Sequence, residues 1–164
     1  MATIALKGNP IHTIGSLPSL GSHVPDFQLT GPDLSESSLS QFGNKIKILN
    51  IVPSLDTGTC SASAKKFNDL LKKRNDVVMI NISMDLPFAQ DRFCKAEHLD
   101  TEVFLSAFRS SFPKDFGILI VDGPLKGLCS RAVILLDKDN KVLYTEQVPE
   151  ITQEPNYEAV LKQL

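Results

Sequence analysis

The sequence predicts an α/β fold with a central mixed β-sheet, flanking helices and an N-terminal β-hairpin. Segment 46–83 holds an apolar run, an amphipathic stretch and a second apolar run, which is the pattern of a βαβ unit with parallel strands. Two later apolar runs, 132–137 and 141–148, are separated by the turn residues 138–140 and predict an antiparallel hairpin. A sheet with both kinds of pairing is mixed.

The βαβ unit is predicted in three parts. The run Ile46–Val52 ends at Pro53 and has the continuous apolar character of a strand that is covered on both faces. The stretch Cys60–Arg74 has apolar residues at three- and four-residue spacings, which is typical of an amphipathic helix. Those residues are Ala64, Phe67, Leu70 and Leu71. The second strand is Asp76–Ser83, which a right-handed crossover connects to the first.

The remaining elements surround this unit. Residues 1–24 carry glycines and prolines between short β-rich runs, so we expect a hairpin that decorates the main domain. The pattern further predicts a short helix over 87–97, a strand over 103–106, a helical turn over 110–116 and a strand over 117–122. A closing helix begins near Pro155 and has Tyr157, Val160, Leu161 and Leu164 as its apolar stripe.

Length and composition restrict the class of protein. The 164 residues suffice for one compact domain, 1–164, that needs neither a metal nor a disulfide for stability. A formal charge of -2 lacks the basic excess that nucleic acids attract, so we expect no nucleic acid partner. The apolar stretch at the N-terminus is broken by Lys7, Gly8 and Pro10, so we expect neither a signal segment nor a membrane span.

Three cysteines form no C-x-x-C pair and no even framework of disulfides, which indicates a reducing, cytoplasmic location. One of them, Cys60, stands at the start of a predicted helix, directly after a central parallel strand. There the unpaired backbone N–H groups and the positive end of the helix dipole favour a thiolate, which is the nucleophilic form. Ligands also bind at this edge of such sheets.

Two residues of the preceding loop accompany Cys60. Thr57 lies three residues earlier and can donate its hydroxyl to the thiolate or to a substrate oxygen, while Pro53 stiffens the loop. The alternative is that Thr57 only caps the helix and that Cys60 is a small core residue. The spacing by itself leaves both interpretations open.

Pro53, Thr57 and Cys60 match the Pro-x-x-x-Thr-x-x-Cys motif of peroxiredoxins. Nearly end to end, the chain resembles the thiol peroxidase subgroup of the atypical two-cysteine peroxiredoxins. The segments that carry this resemblance are Pro53–Cys60, Arg92–Cys94, Asp122–Leu128, Arg131–Val133 and Glu150–Pro155. It implies a thioredoxin-like fold, a peroxidatic Cys60, a resolving Cys94 in the same chain and a catalytic Arg131. It also implies a homodimer formed around the active-site loops.

The chemistry of peroxide reduction agrees with these residue types. Breaking an O–O bond needs a thiolate together with donors that stabilise the departing oxygen, and Arg131 supplies a fixed positive charge. Because Arg131 opens an apolar strand, it needs a partner there; an ordinary surface salt bridge is the alternative. The sulfenic acid left on Cys60 can condense with Cys94, either because the thiols are neighbours or because a helix opens. An inert, half-buried Cys94 is the alternative.

The other candidate groups carry less. Cys129 is expected to be a small apolar filler, or else a second thiol that approaches Arg131 along a shared strand face. His98 lies four residues after Cys94, but two ligands do not make a metal site, so we expect no metal and no bound cofactor.

We therefore predict a thiol-dependent peroxidase that reduces hydrogen peroxide and organic hydroperoxides and is recycled by a thioredoxin-type dithiol protein. Its substrate pocket is expected near Leu55 and the Phe-rich segments. A disulfide oxidoreductase of the same fold would need a second cysteine three residues after Cys60, where Ser63 stands. The rival of another class is a non-catalytic binding or holdase protein on a thioredoxin-like scaffold.

Overall fold

A mixed sheet with an N-terminal hairpin beside it organises the chain, for which a computed structural model describes residues 1–99 and 102–164. The hairpin consists of β1 (Thr3–Leu6) and β2 (Asn9–His12). The sheet strands are β3 (Leu29–Thr30), β4 (Glu36–Ser37), β5 (Ile46–Ile51), β6 (Val77–Ser83), β7 (Val103–Ser106), β8 (Ala132–Leu136) and β9 (Val142–Gln147). The helices are α1 (Gly58–Leu71), α2 (Pro87–Ala96), α3 (Phe112–Asp115) and α4 (Tyr157–Leu161), with a 3-10 helix at Leu39–Phe42.

The strand order in the described sheet is β4-β3-β7-β6-β5-β8-β9. Strand β6 pairs in parallel with both β5 and β7, whereas β8 is antiparallel to β5 and to β9. Helix α1 connects the parallel pair β5 and β6, so the predicted βαβ unit over 46–83 is confirmed. The predicted fold class, an α/β fold with a central mixed sheet and an N-terminal hairpin, is confirmed with it.

Alternating side chains of the sheet build a core on each face. Ile48 of β5 packs with Phe67 and Leu71 of α1, while its neighbour Leu49 packs on the opposite face with Phe112. Burying one such side chain contributes roughly 1.5–3 kcal/mol, so this face holds α1 firmly against the sheet. As a result, the N-terminal end of α1 is fixed at the C-terminal edge of β5.

Three features differ from the sequence predictions. The strand predicted over 117–122 is wrong: this run forms isolated bridges, among them Thr13 with Ile120 and Leu119 with Cys129. Gly117 precedes the bridged residues and Gly127 follows them, with positive φ angles of 72° and 93°. These backbone conformations interrupt regular strand pairing on both sides of the run. Leu70 is exposed and does not join the buried stripe of α1. The 3-10 helix and the two-residue strands β3 and β4 were not predicted, because elements this short carry no periodicity.

Candidate active site

Cys60 occupies the first turn of α1, immediately after the loop that leaves β5. Its side chain is fully buried and packs with Val52, Leu55 and Ala64. Thr57 is the N-cap of α1, and its hydroxyl oxygen accepts a hydrogen bond from the Cys60 amide at 3.3 Å. The helix therefore begins where a cap is available, and the sulfur lies beside the positive end of the helix dipole.

Arg131 contacts the sulfur directly. Its Nη1 atom donates to Cys60 Sγ at 3.0 Å, and its Nε atom donates to the Ile151 carbonyl at 2.8 Å. The residue is 2% exposed, so this guanidinium is not part of a surface salt bridge and that alternative is wrong. A buried positive charge at this distance stabilises a thiolate more strongly than the same charge in water does.

Thr57 has the capping role that the alternative interpretation gave it. Besides accepting from the Cys60 amide, its hydroxyl donates to the Ser54 carbonyl at 3.1 Å. The proton that was expected to point at the thiolate or at a substrate is thus used within the loop in this structure. Pro53 is buried at the start of the same loop, between β5 and Ser54.

The N-terminal hairpin fixes the loop that orients Arg131, so the expectation that it only decorates the domain is wrong. The Ile151 amide donates to the Ala5 carbonyl at 2.9 Å, and the Ala5 amide donates to the Pro149 carbonyl at 2.7 Å. Ile151 is the residue whose carbonyl accepts from Arg131. Strand β1 therefore supports the catalytic candidate through one intervening residue.

The carboxylate of Glu150 also joins the N-terminal hairpin to the loop that orients Arg131. Glu150 accepts hydrogen bonds from the amides of Lys7 and Gly8 in the hairpin turn, at 2.9 and 3.0 Å. Because these amides bind the ionised form, they lower the pKa of Glu150 to about 2. The hydroxyl of Thr59, in the first turn of α1, donates to the carbonyl of Thr152 at 2.9 Å. Glu150 lies in a segment that carries the family resemblance, but only the structure reveals its partner.

Cys94 lies on α2, close to the Cys60 region but not bonded to it. Both residues contribute to one apolar cluster that contains Leu55, Leu99 and Phe104. Cys94 Sγ donates to the Leu99 carbonyl at 3.2 Å, and no disulfide joins the two cysteines in this structure. The salt bridge Lys65–Glu97, at 2.5 Å, also links α1 with the C-terminal end of α2.

The remaining candidates lie apart from this cluster. Cys129 is fully buried in the core on the other side of the sheet from α1, and burial raises its pKa to about 12. It is therefore a protonated filler at neutral pH. His98 follows the end of α2 with a positive φ of 56°, so it does not share a helical face with Cys94. In the parts of the chain that the structure describes, no group of three or more potential ligands could hold a metal.

No helix among the described residues is long and apolar enough to cross a membrane.

A buried thiol at a helix start beside a buried arginine, on this α/β fold, defines a class of thiol-dependent oxidoreductases. The comparisons agree with that class. The family model described as Redoxin matches residues 19–161, so the chain belongs to the redoxin family.

The relatives are more specific. The chain is 49% identical over 164 residues to the thiol peroxidases of Mycobacterium bovis and of Mycobacterium tuberculosis, covering all of this chain and 99% of each relative. A peroxiredoxin-like protein from Aquifex aeolicus superimposes with a TM-score of 0.93 at 38% identity, over 99% of this chain and 95% of that one. A thiol peroxidase from Chromobacterium violaceum gives 0.91 at 25% identity, over 98% and 93%. The resemblance to thiol peroxidases is thereby confirmed.

Proposed function

We propose that this chain reduces peroxides with Cys60 as the attacking thiolate and Arg131 as the residue that stabilises the developing charge. One observation carries this proposal: the Arg131 guanidinium donates to Cys60 Sγ at 3.0 Å inside a buried site. The similarity to thiol peroxidases over the full chain supports the same activity.

The first step oxidises Cys60. The thiolate attacks one peroxide oxygen in line with the O–O bond, an S–O bond forms and the O–O bond breaks. The departing alkoxide or hydroxide takes up a proton and leaves as an alcohol or as water, and Cys60 becomes a sulfenic acid. Arg131 stabilises the negative charge as it moves from sulfur to the departing oxygen. Thr57 joins it as a donor when its hydroxyl leaves the Ser54 carbonyl.

The second step forms a disulfide between Cys60 and Cys94. The Cys94 thiolate attacks the sulfenic sulfur, an S–S bond forms, and the hydroxyl leaves as water after taking up a proton. Each sulfur keeps its own partner in this structure, Arg131 for Cys60 and the Leu99 carbonyl for Cys94, so the start of α1 and the Cys94 helix α2 open locally before the sulfurs meet. The shared apolar cluster keeps the two segments close during this opening.

A dithiol protein of the thioredoxin type then completes the cycle. It supplies two electrons, so that the disulfide returns to two thiols while the partner becomes oxidised. A reducing, cytoplasmic location fits this requirement. No metal or bound cofactor takes part in any of these steps.

The chain acts in this proposal as a single thioredoxin-like domain, 1–164, that pairs into a homodimer around the active-site loops. Three exposed apolar side chains support a dimer interface at this end of the sheet. Leu86, Phe88 and Phe108 are exposed by 51%, 66% and 36%. They follow the C-terminal ends of β6 and β7, next to the edge where α1 begins.

Peroxide consumption in the presence of thioredoxin, thioredoxin reductase and NADPH tests the activity. The wild-type chain should turn over and Cys60→Ser should not, whereas Cys129→Ala, which changes a cysteine outside the site, should retain turnover. If Cys60→Ser consumed peroxide as fast as the wild type, the proposal would fail. The non-catalytic scaffold would then be the better account.

A further inference from the structure

A single carboxylate, that of Asp85, lies between the Cys60 loop and the helix that carries Cys94. It follows β6 and comes two residues before the first residue of α2. Oδ1 accepts from the Ser54 hydroxyl at 2.8 Å, and Oδ2 accepts from the Leu55 amide at 2.8 Å and from the Ser83 hydroxyl at 2.7 Å. Three donors from two separate segments therefore converge on one side chain.

On one side these bonds lead to the sulfur. The Ser54 carbonyl accepts from both the amide and the hydroxyl of Thr57, at 3.3 and 3.1 Å. Thr57 in turn caps the Cys60 amide. Asp85 thus fixes the loop whose conformation sets the beginning of α1.

On the other side the bonds lead to α2. The Leu86 carbonyl accepts from the amides of Ala89 and Gln90 in the first turn, at 3.0 and 3.1 Å. The Gln90 side chain donates to the Ser83 hydroxyl at 3.0 Å, and that hydroxyl donates to Asp85. The Ser106 hydroxyl also donates to the Asp85 carbonyl. The start of α2 is therefore linked to Asp85 through the Ser83 hydroxyl and the adjoining Leu86, whereas the Cys60 loop is bonded to Asp85 directly.

We propose that Asp85 is a positioning residue that couples the closure of the Cys60 loop to the closure of the Cys94 helix. This inference rests on the proposed function. Peroxide attack needs the closed loop, in which Thr57 caps α1 and Arg131 meets the sulfur. Disulfide formation needs both segments open. Asp85 bonds the Cys60 loop directly and reaches the first turn of α2 through Ser83 and Gln90, so that the two segments open together and the sulfenic acid becomes accessible when Cys94 is released.

Asp85→Asn should separate the two chemical steps. An amide cannot accept from Ser54 and Leu55 with both of its polar atoms, and the charge that strengthens these bonds is lost. The closed state is therefore less populated, and oxidation of Cys60 by peroxide should slow about ten-fold. Disulfide formation, which proceeds from the open state, should not slow.

The experiment follows both phases by stopped-flow fluorescence or rapid quench, with hydrogen exchange measured on the reduced chain. Asp85→Asn should raise exchange in 54–60 and in the first turn of α2 together. Asp91→Asn is the matched control: it removes a carboxylate that pairs with Lys95 on α2, and it should leave Cys60 oxidation within about two-fold of wild type. Ser54→Ala removes one bond to Asp85 and serves if Asp85→Asn does not fold; it should slow oxidation by about three-fold.

The outcomes separate this inference from the proposed function. If the wild-type chain showed no oxidation of Cys60, the proposed function would fail and the coupling with it. If the wild-type chain reacted, and both Asp85→Asn and Ser54→Ala left the two phases unchanged, only the coupling role would be overturned. Equal slowing of both phases would also overturn it, because it would indicate general disruption of the site.

Discussion

At the scale of single residues, the burial of Arg131 decides what it can do. A guanidinium that is 2% exposed has lost most of its hydration, so its contacts with Cys60 Sγ and the Ile151 carbonyl have to compensate for that loss. The same burial strengthens its interaction with any negative charge at the sulfur. Burying this charge therefore costs stability, and the two contacts offset part of that cost.

Arg131→Met should slow oxidation of Cys60 by peroxide about 10²- to 10³-fold, which is the usual effect of removing one charge-stabilising donor. The rate is measured under single-turnover conditions with the reduced chain. Arg74→Met is the control, since Arg74 is exposed and pairs with Asp76 away from the site. A decrease of less than three-fold for Arg131→Met would contradict the role given to this residue.

Three polar side chains, Asn50, Asn81 and Glu102, form a hydrogen-bonded chain on the face of the sheet that α1 covers. Asn50 of β5 donates to Asn81 of β6 at 2.8 Å, and Asn81 donates to Glu102 at 3.3 Å. Burial of Glu102 raises its pKa to about 8, and the negative charge of Asp69 acts in the same direction. The folded chain therefore keeps a proton on Glu102 at pH values where an unfolded chain has lost it.

This difference predicts how stability depends on pH. As pH rises from about 4.5 to about 8, the unfolded state ionises at Glu102 before the folded state does, so the free energy of unfolding falls. Glu102→Gln removes this contribution, and its stability relative to wild type should rise by about 3.5 kcal/mol between pH 5 and pH 8. Urea unfolding at both pH values measures the change. The same difference at both pH values would show that Glu102 does not hold its proton.

At the scale of elements, the N-terminal hairpin acts as a support for the site. Glu150→Gln weakens the bonds to the Lys7 and Gly8 amides and loosens the loop that holds Arg131 through Ile151. We expect oxidation of Cys60 to slow about five-fold, with faster hydrogen exchange at the amides of Ala5 and Ile151. Glu158→Gln, at an exposed position of α4, is the matched control. Unchanged oxidation in Glu150→Gln would mean that the hairpin does not set the orientation of Arg131.

The elements that sequence could predict are those with a regular apolar pattern. Strands β5 and β6 and helices α1 and α2 agree with prediction to within three residues, because burial on the sheet imposes periods of two and of about 3.6. The segment 117–122 has equally apolar residues, yet it forms only isolated bridges with its neighbours. An apolar run predicts that its residues are buried. It does not by itself predict that they pair with a neighbouring strand in a regular β-ladder.

At the scale of the whole molecule, topology brings the site together. Thr57 and Cys60 are local in sequence, and their pairing could be predicted from spacing and cap chemistry. Arg131 comes 71 positions after Cys60 and reaches it because β8 is antiparallel to β5, so that the start of one strand lies beside the end of the other. The family resemblance implied a role for Arg131 in the site, but no local pattern predicted its contact with Cys60 Sγ. The hydrogen bonds of Glu150 and Asp85 join segments that are far apart in sequence, so no local sequence pattern could predict them.

The exposed apolar residues near the site give a prediction about assembly. The proposed homodimer should sediment at twice the chain mass of 18.0 kDa, and Phe88→Asp should shift it toward the monomer by placing a charge in the interface. Leu20→Asp is the control, since Leu20 is as exposed as Phe88 but lies near Lys141, at the opposite end of the sheet. Dissociation by Leu20→Asp and not by Phe88→Asp would place the interface elsewhere.

The most direct test of the central claim is the fate of the thiols after a single oxidation. The reduced chain is treated with one equivalent of hydroperoxide and analysed by intact mass and peptide mapping, beside Cys94→Ser. We predict the loss of two hydrogens with a Cys60–Cys94 crosslink in the wild type, and a sulfenic acid on Cys60 in the variant. A chain that leaves Cys60 unoxidised, or that crosslinks Cys60 to Cys129, would contradict the account.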